Sequence, residues 1–396
     1  MDYFRHLSRR QYVWLGVTLL AAVLVILAGR FVNPQQIHND RVDFTTDMSI
    51  KEMAPQLDVT GKALAREFEL PLDVPKKRPV RDLGVNQAQL DHVTAHLLSH
   101  RPSVFKYFVF AAIALLALVY LLRLGRPDKS AGPGPNTQRL QYPHAVYVGV
   151  LIVAVVVCGF LLGKSPNPME GVVKLFKSMV GLYPSVTEKV AAFTFFVALA
   201  IVGNKLVCGW VCPFGALQEL IYSLPILKQL KRYKPPFAVT NAVRGGLFIL
   251  MLLLLFGILG QRRGFVLYHA VNPFNLFDLS FEMVSIGVTI VVAIVLSLFV
   301  YRPFCTLICP FGFVSWVFER LSLARVRIDR DRCTACGACT TTCPTHAAAD
   351  ILNGKLLPAD CFSCTRCLRV CPHDAIRYGP VFVPLSPSTA ENKTAS

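Results

Sequence analysis

The sequence is poor in charge. Only 16% of its 396 residues are Asp, Glu, Lys or Arg, while 54% are hydrophobic. So little charge cannot cover the surface of a soluble protein of this size, and the balance points to the membrane class. Acid is the scarcer sign: 24 Asp and Glu stand against 41 Lys and Arg, a formal charge of +17. Such an excess serves either nucleic-acid binding or basic loops between membrane spans. The positions of the bases favour the membrane, so no nucleic-acid partner is expected. Redox motifs of the common external kinds are missing too: there is no CxxCH haem-attachment motif and no flavin-attachment signature. A haem within a bundle needs two facing histidines, and the nearest candidates, His144 and His269, lie at opposite faces. Ionisable residues are almost absent from the middle of the apolar runs, which argues against a transporter.

What is present begins with six apolar stretches, at about 12–29, 104–122, 145–163, 190–207, 243–260 and 284–301. Each is long enough, or nearly so, to cross a hydrocarbon core of roughly 30 Å. Asn204 and Lys205 interrupt the end of the fourth. Arg5, Arg9 and Arg10 precede the first stretch, Arg123 and Arg126 follow the second, Lys231 and Lys234 the fourth, and Arg302, Arg320 and Arg325 the sixth. Six crossings put all four groups on one side, the cytoplasm of an inner-membrane protein with both termini inside. The first stretch reads as an anchor, since Ile26 and Leu27 spoil a signal-cleavage site. Reporter fusions after Pro102 and after Pro380 are therefore expected to report opposite compartments. The same compartment for both would remove one crossing from the count.

The spans and linkers divide the chain. Residues 1–30 form the N-terminal segment and first span, and 31–103 a small external helical module. In that module Ser49-x-x-Glu52 has the form of a capping box, and Thr60 and Asn86 are candidate caps. His92, His96 and His100 share one helix face there, as a solvated polar stripe rather than a metal site. Residues 104–124 hold the second span, and 125–143 a Gly- and Pro-rich linker. Residues 144–323 read as a four-span core of two repeats: Cys208-Gly-Trp-Val-Cys212-Pro-Phe-Gly recurs 97 residues later as Cys305-Thr-Leu-Ile-Cys309-Pro-Phe-Gly, and Asn167-Pro168 is echoed by Asn272-Pro273. Residues 324–380 form a ferredoxin-like domain, and 381–396 a polar tail. The expected fold class is an α-helical integral membrane protein of six spans with a C-terminal α+β ferredoxin domain.

Twelve of the thirteen cysteines lie in four tight groups; Cys158, inside an apolar run, reads as a small buried hydrophobe. The strongest signal is Cys333-x2-Cys336-x2-Cys339-x3-Cys343-Pro344, followed by Cys361-x2-Cys364-x2-Cys367-x3-Cys371-Pro372. This doubled run is the bacterial pattern for two 4Fe–4S clusters, in which the cysteine before proline ligates the other cluster. One cluster is thus expected on Cys333, Cys336, Cys339 and Cys371, the other on Cys361, Cys364, Cys367 and Cys343. Asn353-Gly354 between the runs suits a tight hairpin. Cys208, Cys212, Cys305 and Cys309 could hold a third iron–sulfur cluster, act as redox thiols, or form a site completed by another subunit. His269 is a candidate for a quinol site or a hydrogen-bonded loop residue.

Paired CxxxCP motifs after alternate spans, followed by a doubled ferredoxin run, resemble the membrane polyferredoxins of the NapH/NosR type over about residues 140–380. Those proteins accompany periplasmic nitrate and nitrous oxide reductases. The resemblance implies electron transfer to or from the membrane, in respiration or reductase maintenance, and a redox or cluster-binding role for Cys208, Cys212, Cys305 and Cys309. Residues 31–103 are too short for the external flavin domain of the nitrous-oxide-type members. The expected role is an electron conduit, a component rather than a stand-alone catalyst. Its donor would be a quinol or a cytoplasmic protein such as an acidic ferredoxin or flavodoxin, and its acceptor a partner redox protein. With no redox motif on the external side, exchange with the quinone pool or with a haem- or flavin-bearing partner subunit is expected. The alternative is a redox-sensing regulator or metal-centre assembly factor using the same clusters.

Overall fold

A computed structural model describes residues 44–383, apart from residues 58, 60, 72–73, 100–103, 126–144, 164–165, 184–185, 225–232, 260–264, 278–283 and 356–357. The first apolar stretch, nearly all of the 125–143 linker, Thr60, His100, His144 and the tail beyond residue 383 lie outside the described residues.

The first unit is small and helical: α1 (Ile50–Gln56), α2 (Gly61–Glu67) and α3 (Gln87–Ser99). Ser49 and Glu52 form the reciprocal cap. The Ser49 N–H donates to Glu52 Oε2 at 2.8 Å, and the Glu52 N–H donates to Ser49 Oγ at 3.3 Å. Asn86 caps α3 by accepting from the Gln89 N–H at 2.7 Å. Ile50, Met53, Leu64, Phe68, Val80 and Leu90 give this unit a core of its own. His92 and His96 are exposed on α3.

The apolar part follows as α4 (Val104–Leu124), α5 (Ala145–Val153, running on as a π-helical segment Ala154–Leu161), α6 (Pro168–Met179), α7 (Val186–Gly203), α8 (Pro213–Ser223), α9 (Phe237–Leu255), α10 (Val284–Ser297), α11 (Pro303–Leu307) and α12 (Pro310–Phe318). Three of these, α4, α7 and α9, are long and apolar enough to cross a membrane; Val146–Leu161 and Val284–Ser297 are shorter apolar helices. Helix α7 stops at Gly203, short of the expected 207, because Asn204 and Lys205 both take left-handed backbone, at φ 51° and 58°. Each Asn-Pro pair opens a helical turn: Asn167 accepts from the Glu170 N–H at 2.8 Å and Asn272 from the Phe274 N–H at 3.1 Å, with proline at the first helical position. Cys158 is fully buried.

The last unit contains β1 (Ala324–Ile328), α13 (Ala338–Thr342), α14 (Ala347–Leu352), α15 (Arg366–Val370) and β2 (Ile376–Pro380). The strands pair antiparallel, Ala324 opposite Pro380 and Ile328 opposite Ile376. Asn353-Gly354 is not a hairpin. Ala347–Leu352 is helical, and Gly354, at φ 68°, caps its C-terminus with the Lys355 N–H donating to Asp350 O at 2.9 Å. Alanine-rich sequence before the glycine decides the matter, since a hairpin needs strands on both sides. This unit sits on the end of α7: the Leu323 N–H donates to Ile201 O at 2.8 Å and Tyr378 Oη to Gly203 O at 3.0 Å. One hydrophobic core runs without a break from Phe110 and Phe196 through Trp210 and Phe304 to Val326 and Tyr378.

Candidate functional site

The ferredoxin unit holds two cysteine-lined hollows. One is lined by Cys333, Cys336, Cys339 and Cys371 with Gly337, Leu352 and Ile376. The other is lined by Cys343, Cys361, Cys364 and Cys367 with Tyr301, Val326 and Phe362. Each draws three cysteines from one run and the fourth, the one before proline, from the other. The chain can do this because Gly337 at φ 74° and Thr365 at φ 66° turn the backbone sharply inside each run. The short helices α13 and α15 then aim Cys343 and Cys371 across the unit. Among the described residues no three or more His, Cys, Asp or Glu close on a single point that would suit one ion. The thiols ring volumes, the arrangement a polynuclear cluster needs, and apolar walls around sulfur suit it.

The two CxxxCP motifs meet beyond the ends of α7 and α10. All four sulfurs are buried and free of disulfides. Cys212 has Cys208 and Cys309 as electrostatic neighbours, and Cys305 has Cys212 and Cys208. Proline does two things here. Pro213 and Pro310 start α8 and α12 at their first positions, with Cys212 and Cys309 as extended N-cap residues. The second sulfur of each motif thereby faces a helix N-terminus: Cys212 meets the N–H groups of Phe214 and Gly215, and Cys309 those of Phe311 and Gly312. Gly215 and Gly312 are held tight, since a Cβ at either would be driven into the carbonyl oxygen of Cys208 or Cys305.

The four-thiol site and the second ferredoxin cavity share a wall. Gly209 lies directly under the Phe362 carbonyl, with no room for a Cβ. Trp210 Nε1 donates to Ser363 O at 3.1 Å, and Ser363 Oγ donates to Asn204 O at 3.1 Å. Buried ion pairs bracket the same loop. Asp360, just before Cys361, pairs with Lys205 and with Arg244 Nη1 at 2.7 Å. Arg366, just before Cys367, reaches Glu219 Oε1 at 2.7 Å, and Glu219 Oε2 accepts from Arg302 Nε at 3.0 Å. Arg302 also donates to Cys208 O and, at 2.9 Å, to Gly209 O. Lys205, Arg244, Arg302, Glu219 and Asp360 are all at most 2% exposed. Burial by itself would raise Asp360, but Lys205 and Arg244 hold its carboxyl below the usual range; Arg366 and Arg302 do the same for Glu219. Burial pushes Glu319, beside Lys205, up to about 7.

These charged residues are the part of the site that reading the sequence missed. Lys205 had the look of an interruption in a span, and Arg302 of an ordinary loop charge. A signal was there: each stands three residues before the first cysteine of its motif, 97 residues apart, and each takes left-handed backbone, Arg302 at φ 47°. His269 lies in a short 3-10 turn at Leu267–His269. Its Nε2 is 3.2 Å from Lys177 Nζ. Burial first, and Lys177 second, push His269 down to about 4, so a neutral imidazole accepts from the Lys177 ammonium.

Comparison with known proteins bears on the cysteine sites. A model of a 4Fe-4S binding domain matches residues 190–233, which contain Cys208 and Cys212. A model of a 4Fe-4S dicluster domain matches residues 303–347, which contain Cys305, Cys309 and the first ferredoxin run. The ferredoxin-type protein NapH of Haemophilus influenzae is 27% identical over 50% of this chain and 70% of its own length. The regulatory protein NosR of Pseudomonas aeruginosa is 29% identical over 46% of this chain and 26% of its own length. The chain is similar to NapH- and NosR-type ferredoxin proteins over about half of its length. YccM of Escherichia coli is similar as well, at 26% identity over 52% of this chain, a match that spans 60% of YccM. No solved structure matches. The 4Fe-4S models thus fall on a chain whose described residues include three helices long and apolar enough to cross a membrane.

Proposed function

We propose that this chain is a membrane electron relay with three iron–sulfur sites. Two are 4Fe–4S sites in the ferredoxin unit, on Cys333, Cys336, Cys339 and Cys371 and on Cys361, Cys364, Cys367 and Cys343. The third is on Cys208, Cys212, Cys305 and Cys309. Such clusters supply one-electron chemistry at potentials set by their surroundings. The protein's part is spacing, burial and charge. Cys336 is exposed, so the first cavity faces solvent and can meet a donor or acceptor. The four-thiol site is sealed among the span ends.

The observation that carries this reading is the shared wall. The Cys361–Cys367 loop lies on the Cys208–Cys212 turn with only backbone between, at Gly209 and Phe362. A ferredoxin unit serving its own ends would need no such contact. The matching repeats, each with a CxxxCP motif, a following helix started by proline and a left-handed cation before it, support a pseudo-twofold four-thiol site. In this reading the motifs and both termini are cytoplasmic, residues 31–103 are external, and the six stretches all span. Electrons are exchanged with the quinone pool or with a haem- or flavin-bearing partner, and an acidic ferredoxin or flavodoxin suits the basic cytoplasmic surface. The His269–Lys177 pair is the external candidate for quinol proton exchange. The process served is respiration or reductase maintenance.

Iron and acid-labile sulfide analysis of anaerobically purified protein tests the assignment. About eight irons are expected from the two cubanes, with about two to four more from the four-thiol site. Stoichiometric zinc without sulfide would sink the whole reading. Eight irons alone would remove the third site.

A further inference from the structure

Hydrogen-bond accounting around the four thiols leaves two sulfurs that depend on side chains. Cys212 and Cys309 face backbone N–H groups. Cys208 and Cys305 have no such helix N-terminus. Their polar neighbours come across the repeat boundary. Gln218 on α8, the helix that follows the first motif, reaches Cys305 in the second. Ser315 on α12, the helix that follows the second motif, lies within hydrogen-bonding reach of Cys208 in the first; its hydroxyl donates to Gly312 O at 3.1 Å and has to rotate to give its proton to the sulfur. Gln218 and Ser315 are themselves 97 residues apart.

Gln218 is fully buried, and its amide is half used. Cys305 Sγ donates to Gln218 Oε1 at 3.4 Å, while the amide nitrogen Nε2 has no partner among the described residues. A buried NH₂ without an acceptor is costly, and native proteins rarely keep one. The arrangement is right for a protonated thiol and wrong for a ligand. Once Cys305 is a thiolate it has no proton to give, and an amide oxygen against it is repulsive. Half a turn about the terminal torsion exchanges oxygen for nitrogen in the same volume. The amide NH₂ then meets the sulfur, and the carbonyl oxygen takes the position that had no partner.

We propose that Gln218, through an N–H···S hydrogen bond to Cys305, and Ser315, through an O–H···S hydrogen bond to Cys208, are positioning residues that raise the reduction potential of the four-thiol centre. This rests on the reading that those thiols hold an iron–sulfur cluster. Donors to ligand sulfur stabilise the more negative, reduced state over the oxidised one. Neither residue ligates iron, so removing either should leave the iron in place.

The test is potentiometric titration of the full chain in detergent, followed by electron paramagnetic resonance, for wild type, Gln218→Met and Ser315→Ala. Methionine keeps the length and loses the donor. In Gln218→Met, reduction of the third centre is expected to become about tenfold less favourable, a fall of about 59 mV for one electron. A smaller fall is expected in Ser315→Ala, with unchanged iron content and unmoved ferredoxin signals in both. Should Gln218→Met fail to assemble the centre, Ser315→Ala decides by the same readout. A third centre present in wild type whose potential stays put in the variants would overturn this inference alone. A wild type with iron for two cubanes only would overturn the four-thiol reading, and this inference with it.

Discussion

The double variant Cys208→Ser/Cys309→Ser is expected to lose electron transfer between the ferredoxin unit and the membrane completely, while keeping about eight irons. Serine matches cysteine closely in shape, and all four thiols are packed among buried neighbours such as Phe214 and Phe304, so the fold should tolerate the change. Serine oxygen is a poor ligand for a soft, sulfur-bound centre. One sulfur is removed from each motif, so neither motif can rescue the site by itself. The ferredoxin cysteines lie in other cavities and are untouched. Iron should fall by about two to four per chain, with the resonance signals of both cubanes unchanged. Full activity in this variant would reduce the four thiols to packing residues and leave the ferredoxin unit as the whole redox apparatus.

The second large effect is expected at Asp360. Replacing it with asparagine keeps its size and removes the charge that Lys205 and Arg244 share. Lys205 is 1% exposed and Arg244 is fully buried, so neither cation can turn to water. Breaking a buried pair from one side costs about 3–5 kcal/mol, enough to loosen the ferredoxin unit from the span ends. Limited proteolysis in detergent should then release an iron-bearing C-terminal fragment, absent from wild type. A companion variant with Lys205→Met added should recover part of the loss, because it removes one of the two buried cations left without Asp360. Equal protease resistance in wild type and Asp360→Asn would mean that backbone packing at Gly209, not charge, holds the junction.

How much of this could be read from the chain depends on how far apart the partners lie. The cysteine groups are written in short covalent spacings, so the gathering of Cys333, Cys336, Cys339 and Cys371 at one hollow and of Cys343, Cys361, Cys364 and Cys367 at another was legible, as was the matching Pro-Phe-Gly tail of the two CxxxCP motifs. The caps at Ser49 and Asn86 were legible for the same reason, since their partners are three residues away. The junction was not. Lys205 meets Asp360 across 155 residues and Arg302 meets Glu219 across 83, and no periodicity marks such pairs. Buried cations beside spans look, in a linear sequence, like the basic loops that set membrane orientation. Asn353-Gly354 was misread because the same dipeptide suits a hairpin and a helix end, and only its neighbours choose.

Under the proposed three-site reading, the backbone contact between Gly209 and Phe362 also implies an order of manufacture. With the Cys361–Cys367 loop seated, the four thiols beneath it are shut in by the span ends on one side and by that loop on the other. If these thiols hold the proposed third centre, iron and sulfide would have to reach them before that loop closes, on a newly inserted chain whose C-terminal unit still hangs free. A centre once lost from the docked protein would not be replaced without first lifting that unit off.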